Sequence, residues 1–215
     1  MEIGELKEKY GKSNTKVPMS FVEKIKKVIL SPNEFFDAIK TEEGITQAFI
    51  YYAILSLIYS ILFGIFYFLM PTFLGPMPFG ELGIAMIAIS YIIGLISVFI
   101  YTAITHIFTK IVGGNGNYSA TFKSLVYAST PSLLLGWIPM IGAIFAIYSL
   151  YLMIKGISKL HGITMLRAFV AVFIIPLIIV VVIAMIAGII AGALFTPRPY
   201  LGPTGSFLQI LRPFV

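Results

Sequence analysis

The two histidines, His106 and His161, are the side chains of this sequence best suited to bind a metal ion or to transfer a proton near neutral pH. A zinc site takes three or four ligands from Cys, His and carboxylates, and the chain has no Cys. Ser158 lies close to His161 in the chain, but a nucleophilic serine also needs a group that orients its base. Structural or interfacial roles are the simpler interpretation, and we predict no catalytic residue, no cofactor and no metal site.

Carboxylates are confined almost entirely to one end of the chain. Eight of the nine Asp and Glu residues lie within the first 43 positions, and Glu81 is the only later one. Ionisable groups inside a membrane span usually mark proton relays or ion pathways, and the long apolar stretches of this sequence contain no carboxylate. The His-Glu-x-x-His pattern of metalloproteases and the phosphate-binding loop of nucleotide-dependent enzymes are also missing from the sequence. These exclusions predict a protein that is not an enzyme.

A row of polar side chains recurs every four residues in the second apolar stretch, at Ser97, Tyr101, Thr105 and Thr109. Hydrogen bonding between neighbouring membrane helices is the simpler interpretation, and a solute path along this stripe is the alternative. In the last apolar stretch, Gly188 and Gly192 form a Gly-x-x-x-Gly pair, which is typical of close helix packing within one chain or between two copies.

The high apolar content and low charge of the composition indicate that this chain folds in a lipid environment. Hydrophobic residues make up 59% of the 215 positions and charged residues 11%, whereas soluble domains are about 45–50% apolar and about 25% charged. A soluble globular domain and a disordered chain are therefore excluded, and the lipid bilayer is the expected partner, with no nucleic acid. The scarcity of Asn, Gln and Cys is typical of a thermophilic source.

Long uncharged runs predict membrane-spanning helices, since about 20 apolar residues cross a bilayer. Spans are expected at about 45–70, 82–109 and 168–195, the last with a kink at Pro176. A loop rich in breakers lies between Pro71 and Gly80. A Pro-rich tail over 196–215 cannot continue the last helix.

The run from Ser124 to Ile154 is too long for one span and short for two. Two short spans at about 119–137 and 139–156 would form a hairpin that is broken by Pro131 and turns near Trp137 and Pro139. Basic residues flank this run on both sides, and the positive-inside rule assigns both flanks to the cytoplasm; these residues are Lys110, Lys123, Lys155, Lys159 and Arg167. A re-entrant hairpin would satisfy the same charges.

The resulting prediction is an all-α polytopic bundle over residues 44–195, with five spans, a cytoplasmic N-terminus and an outer C-terminus. A polar, flexible segment over 1–19 and interfacial helices over 20–43 precede it. In the second segment an apolar stripe recurs at helical spacing: Phe21, Val22, Ile25, Val28 and Ile29. Such a helix lies on the membrane surface or packs on the spans of its own chain, and both alternatives remain open.

The charged side of this interfacial segment carries Lys24, Lys26 and Lys27, which we predict to contact anionic lipid or a cytoplasmic protein partner. A second short helix is expected after the break at Leu30. Ser31 would be its cap and Glu34 would complete a capping box. Phe35 and Phe36 lie on its apolar side and are further candidates for the membrane or partner contact.

The order of motifs along the chain resembles the Yip domain family of small membrane proteins, over roughly Phe21 to Ile183. The motifs run from Ser31-Pro32 with Phe35-Phe36 to Arg167-Ala168. The residues that would form the family's bundle motif are Tyr127, Thr130, Pro131, Trp137, Pro139, Gly142, Gly156, His161 and Gly162.

The resemblance implies five spans and a cytoplasmic N-terminus, which agrees with the charge pattern. Eukaryotic Yip proteins bind Rab-type GTPases in vesicle traffic. That role is not carried over, because the N-terminal arm here is short and a prokaryotic member is expected. The resemblance implies a non-enzymatic protein that binds partners or shapes membranes. A homo-oligomer is a further alternative, which the Gly-x-x-x-Gly pair leaves open. A transporter or channel for a small or lipidic substrate is the alternative.

Overall fold

The computed structural model describes residues 19–70 and 83–195, and every regular element in these two stretches is a helix. The all-α prediction is confirmed for this part of the chain. The predicted polar segment before Met19, the loop from Pro71 to Gly80 and the tail 196–215 lie outside the described residues.

Within the two described stretches, four helical segments are long and apolar enough to cross a membrane: Thr46–Phe66, Ile87–Ile111, Ile141–His161 and Met165–Ile189. They belong to helices α3 (Thr46–Leu69), α4 (Gly83–Ile111), α7 (Ile141–His161), and α8 (Met165–Phe169) continued through a π-helical turn into α9 (Ile175–Phe195). A helix is the form that such apolar runs take in lipid, because it satisfies every interior backbone amide within the segment.

The stretch predicted as the third span, 119–137, is two short helices rather than one. Helix α5 (Tyr118–Ala128) ends at Ser129, and α6 (Thr130–Leu135) follows at once. Pro131 has no N–H to donate to the carbonyl one turn earlier, and the Thr130 hydroxyl donates to the Tyr127 carbonyl at 2.6 Å. The proline therefore breaks the helix, and the threonine beside it satisfies the acceptor that the break exposes.

Helices α5 and α6 run antiparallel to α7, as the predicted hairpin requires. At mid-length the Ser132 and Ser149 hydroxyls lie 2.8 Å apart. At the turn, a Cβ on Gly142 would lie 2.5 Å from the Gly136 carbonyl oxygen, so the two arms touch through backbone. Trp137 and Pro139 lie in this turn, between α6 and α7. The helix α7 then extends to His161, five residues past the predicted end, where Gly162 takes a φ of 66°.

Two short helices precede the spans: α1 (Phe21–Leu30) and α2 (Pro32–Ala38), the second extended by a 3-10 turn over Ile39–Thr41. The Ser20 side chain caps α1 by accepting from the Glu23 amide at 3.2 Å. The capping box predicted at Ser31 and Glu34 is wrong, since the Ser31 side chain makes no capping bond. Ser31 also closes α1, and its ψ of 58° is far from the extended backbone that a capping side chain needs.

The core of this part of the chain forms where α1 and α2 meet α5 and α7. Its fully buried side chains include Val28, Phe35, Phe36, Tyr127 and Leu152. Gly156 on α7 makes room for the Phe36 ring, because a Cβ there would lie 2.8 Å from Phe36 Cε1. The apolar stripe of α1 is thus partly used for packing on the bundle.

The chain divides into a unit that ends at Phe173 and a second unit over Ile174–Val215. A π-helical segment at Val170–Ile174 lies just before Pro176, the residue at which the sequence predicts a kink. A proline withholds the amide that would close the preceding turn, and wider turns accommodate this loss. Gly188 and Gly192 lie on α9 in the second unit.

Candidate functional site

The Lys24 side chain is held inside the protein rather than at its surface. Lys24 is 8% exposed, its ammonium pairs with Glu42 Oε1 at 3.2 Å, and it donates to the Tyr127 hydroxyl at 2.8 Å. The prediction of a surface contact is wrong for this lysine, because its position on α1 turns it toward α5. Phe35 and Phe36 are likewise fully buried, and the Phe35 ring packs edge-on against Tyr127 at 5.0 Å between centroids.

Tyr127 is the centre of this buried cluster, which also includes Lys24 and Glu42. Its hydroxyl donates to Glu42 Oε1 at 2.9 Å and lies 3.1 Å from Oε2, while the Lys24 ammonium sits 5.1 Å from the centre of its ring. A hydrogen-bonded charge pair of this kind tolerates burial, whereas either charge alone does not. The cluster ties the end of the N-terminal segment to the middle of the bundle.

A second hydrogen-bond chain joins α3 to the break between α5 and α6. The Thr130 hydroxyl gives its proton to the Tyr127 carbonyl, and the Tyr51 hydroxyl lies 2.8 Å from the same oxygen. Since the single Thr130 proton is already used, Tyr51 is the donor in this contact. Thr130 and Pro131 of the predicted bundle motif therefore lie together with Tyr51, which was not among the predicted site residues.

Lys123 holds the 3-10 turn against α5. Its ammonium donates to the Ile39 carbonyl at 3.2 Å and to the Glu42 carbonyl. Carbonyls at the end of a helical segment carry partial negative charge, and a cation is favoured there. Both this lysine and Lys24 thus fasten the segment that leads into the first span.

The two histidines, far apart in sequence, share one threonine. His106 Nδ1 lies 2.7 Å from Thr121 Oγ1, and His161 Nε2 lies 2.9 Å from the same oxygen. His161 is 1% exposed, and its Nδ1 has no hydrogen-bond partner among the described residues. A hydroxyl has one proton, so it donates to one imidazole and accepts from the other.

The unpartnered Nδ1 indicates which imidazole donates. A buried N–H without an acceptor is costly, and an Nδ1 without a proton avoids that cost. His161 then carries its proton on Nε2 and donates to Thr121, which donates to His106 Nδ1. The loop before α5 closes over this ring, because a Cβ on Gly114 or Gly116 would lie 3.0 or 2.9 Å from His161 Nδ1.

The predicted polar stripe on the second span is not one continuous face. Ser97 and Tyr101 lie on the exposed side of α4, whereas Thr105 and Thr109 are buried. A spacing of four residues turns about 40° beyond a full circle at each step, so three steps rotate the row by roughly 120°. Two buried hydroxyls of α4 bond carbonyls of this same helix: Thr102 donates to the Val98 carbonyl at 2.7 Å and Thr109 to the Thr105 carbonyl at 2.8 Å.

An open cleft of about 700 Å³ lies between the 3-10 turn and the start of α5. Its lining mixes both signs of charge, with Lys40 and Glu43 on one wall and the capping residue Asn117 on the other. Among the described residues, no three His, Asp or Glu side chains come close enough together to hold a metal ion.

The residues that sequence reasoning missed are Glu42, Thr121 and Tyr51. Each is an ordinary polar residue at a helix end or on a helix face, and its partner lies far away in the chain. The only sequence signal for Glu42 is its place as one of the last carboxylates before the first span.

Comparison with known proteins gives a single result. The family model of the Yip1 domain matches residues 26–211. Neither the curated proteins nor the solved structures contain a match to the chain. The matched region includes Glu42 and Tyr127 of the first buried cluster, both histidines with Thr121, and the four apolar stretches described above. The chain belongs to the Yip family of multi-pass membrane proteins.

Proposed function

We propose that this protein acts without catalysis, by holding α1 and α2 against a multi-span bundle where they contact lipid and cytoplasmic partners and so organise the membrane. The observation that carries the proposal is the cluster of Lys24, Glu42 and Tyr127. It joins residues 103 positions apart, and its buried ion pair attaches the N-terminal helices to the bundle. A contact surface must be held in a fixed position, and this cluster holds the N-terminal helices in place. A flexible arm would not need such a buried ion pair.

The proposed topology has five crossings, with the N-terminus in the cytoplasm and the C-terminus outside. The fifth crossing is α5 with α6, whose 18 residues from Tyr118 to Leu135 measure about 27 Å in helical form, close to the roughly 30 Å of a bilayer core. The charges support this arrangement, because Lys110, Lys155 and Lys159 lie toward the same end of the helices as His161. The positive-inside rule assigns that end to the cytoplasm.

The polar groups of the bundle support a structural role over a chemical one. The hydroxyls of Thr102 and Thr109 bond carbonyls of their own helix, and the Thr130 hydroxyl bonds the Tyr127 carbonyl near the end of α5. Anionic lipid would then meet the protein at the outward side of α1, through Lys26 and Lys27, and copies of the chain would meet through Gly188 and Gly192. A transporter or channel is the alternative, supported by the broken helix at Pro131, since interrupted helices often line sites.

Reconstitution of the pure protein into anionic vesicles tests the proposal. We expect the mean vesicle diameter in electron micrographs to fall as the protein-to-lipid ratio rises, with no release of trapped ions and no transfer of a labelled lipid. Glu42→Gln, which loosens the fastening, should weaken the effect, and Glu43→Gln is the matched control. Unchanged diameters together with protein-dependent flux would overturn the proposal in favour of transport.

A further inference from the structure

The outward side of α1 has a chemistry of its own. We propose that α1 lies within the cytoplasmic leaflet, with Val22, Ile29 and Leu30 in contact with lipid chains and with Lys26 and Lys27 at anionic headgroups. This inference rests on the topology of the proposed function and adds the partner of one surface, which is the anionic lipid itself.

Three sectors divide the surface of α1, since each residue turns a helix by about 100°. Lys24 and Val28 are buried against the bundle. Lys26, Lys27 and Glu23 lie on the opposite side, where Lys27 and Glu23 pair at 2.9 Å. Between the buried sector and Lys26 the apolar surface continues outward through Val22, which is 57% exposed, and through Ile29, about 20° from Val22 on the helix. Leu30, at the end of the helix, is 77% exposed and lies on the same side as Glu23. A helix that contacted only the bundle and water would have one buried side and one polar side. Helix α1 has a third side, which is apolar and exposed.

The contacts of α7 show how deep this apolar side lies. Asp37 pairs with Lys159 at 2.8 Å, Phe36 fits against Gly156, and the Ile29 carbonyl accepts from the Tyr148 hydroxyl at 2.6 Å. From Lys159 to Tyr148, α7 advances eleven residues, or about 16 Å. The end of α1 therefore contacts α7 about three turns away from the residue that pairs with Asp37, within the apolar part of this span.

The surface around α1 is continuous with the surfaces that face lipid. At its other end, the Phe21 ring packs against Tyr51 of α3 at 5.1 Å between centroids. The exposed neighbours of its two contacts are apolar: Ile50 next to Tyr51 on α3, and Ile147 next to Tyr148 on α7. Because both spans present isoleucine to the surroundings at the height of α1, the same lipid that covers them reaches Val22 and Leu30.

The charge on the outer sector identifies the lipid. Lys26 and Lys27 outnumber Glu23, and basic residues near an anionic surface are attracted to it. A helix that is apolar toward the chains and basic toward the headgroups is the arrangement found in interfacial helices. We therefore commit to an anionic leaflet, and to no protein partner, as the occupant of this face.

The absence of cysteine from the sequence allows a direct depth measurement in the full-length protein. Single nitroxide labels are placed at Val22→Cys, Leu30→Cys and Lys26→Cys in anionic vesicles. Collision with oxygen, which concentrates in hydrocarbon, is compared with collision with a water-soluble nickel complex. Ile100→Cys, on the exposed side of the second span, is the hydrocarbon reference, and Glu43→Cys is the water reference.

The expected result is an oxygen-to-nickel ratio at Val22 and Leu30 close to that at Ile100 and several-fold above that at Glu43, with Lys26 between the two references. Nickel access at Leu30 equal to that at Glu43 would overturn the inference. So would low collision rates for both reagents at Leu30, because these would show that protein covers the face. A label in hydrocarbon, in vesicles of unchanged diameter, would keep the position of α1 and remove only the proposed function.

Discussion

Lys24 and Tyr127 are separated by 103 positions, yet the Lys24 ammonium donates a 2.8 Å hydrogen bond to the Tyr127 hydroxyl. Glu42 accepts from both groups. The contact turns one of the predicted surface lysines into an anchor between the N-terminal helices and the bundle. Its energetic weight, and that of the other close contacts, can be measured.

Removing the carboxylate of Glu42 tests the buried ion pair. Glu42→Gln leaves the Lys24 charge buried without its counter-ion, and we expect unfolding in detergent to become easier by about 3–5 kcal/mol, as for other buried pairs that lose one partner. Denaturant titration of the purified protein measures this change. Glu43→Gln, one position away and exposed, should change stability little.

A double-mutant cycle isolates the pair itself. Lys24→Met combined with Glu42→Gln removes both charges, and the double variant should be more stable than Glu42→Gln alone, because no charge then remains buried without a partner. Additive losses in the cycle would show that the two residues do not interact.

Gly156→Ala tests the close packing of α2 on α7. The new Cβ would lie 2.8 Å from Phe36 Cε1 and 3.1 Å from the Ser124 Cβ. Because Phe36 is fully buried, its ring has little freedom to move away, and overpacking of this kind costs about 1–3 kcal/mol. Gly94→Ala in α4 is the matched control, since a Cβ there meets nothing within 4 Å. Equal stability of the two variants would contradict the packing.

Thr121→Val tests the link between the two histidines. Valine has nearly the shape of threonine but offers no hydroxyl, so His106 and His161 both lose a partner, at a cost of about 1–3 kcal/mol for a buried polar group left unpaired. Thr121→Ser keeps the hydroxyl and should retain most of the stability. Thermal unfolding monitored by circular dichroism compares the three proteins.

Asp37 predicts a pH dependence of the α2 attachment. Lys159 and Lys40 hydrogen-bond its carboxylate and lower its pKa from the ordinary value of 3.8. The pKa of the Asp37 carboxyl is lower in the folded protein than in the unfolded chain. Its ion pairs therefore stabilise the fold fully at neutral pH, and this stabilisation is lost as the pH falls through the folded-state pKa. Asp37 is half-exposed, so the effect is small.

The readout for Asp37 is the rate at which a protease cleaves between α1 and α3. We expect this rate to rise as the pH falls below that ordinary value in the wild-type protein. It should be higher and less dependent on pH in Asp37→Asn. An equal pH dependence in both proteins would remove Asp37 from this role.

Some features of the fold could be predicted because they depend on local composition. The apolar runs predicted the positions of the long helices, and Trp137 and Pro139 predicted the hairpin turn. The break inside the stretch 119–137 was likewise predicted, because Pro131 cannot donate the amide that a continuous helix needs. Sequence reasoning was wrong about one continuous stripe from Ser97 to Thr109, because strict spacing by four drifts around a helix.

The sequence by itself determined a multi-span helical membrane protein, because hydropathy and backbone hydrogen bonding act within each segment. Only the tertiary structure decided that Lys24 faces inward to Glu42 and Tyr127, and that His106 and His161 share Thr121. These contacts join residues that no periodicity relates, and their choice depends on how the helices pack. The physical reason is that a polar group can be buried at low cost only where a hydrogen-bond partner lies next to it in the folded protein. These partners are far away in the sequence, so no local pattern identifies them.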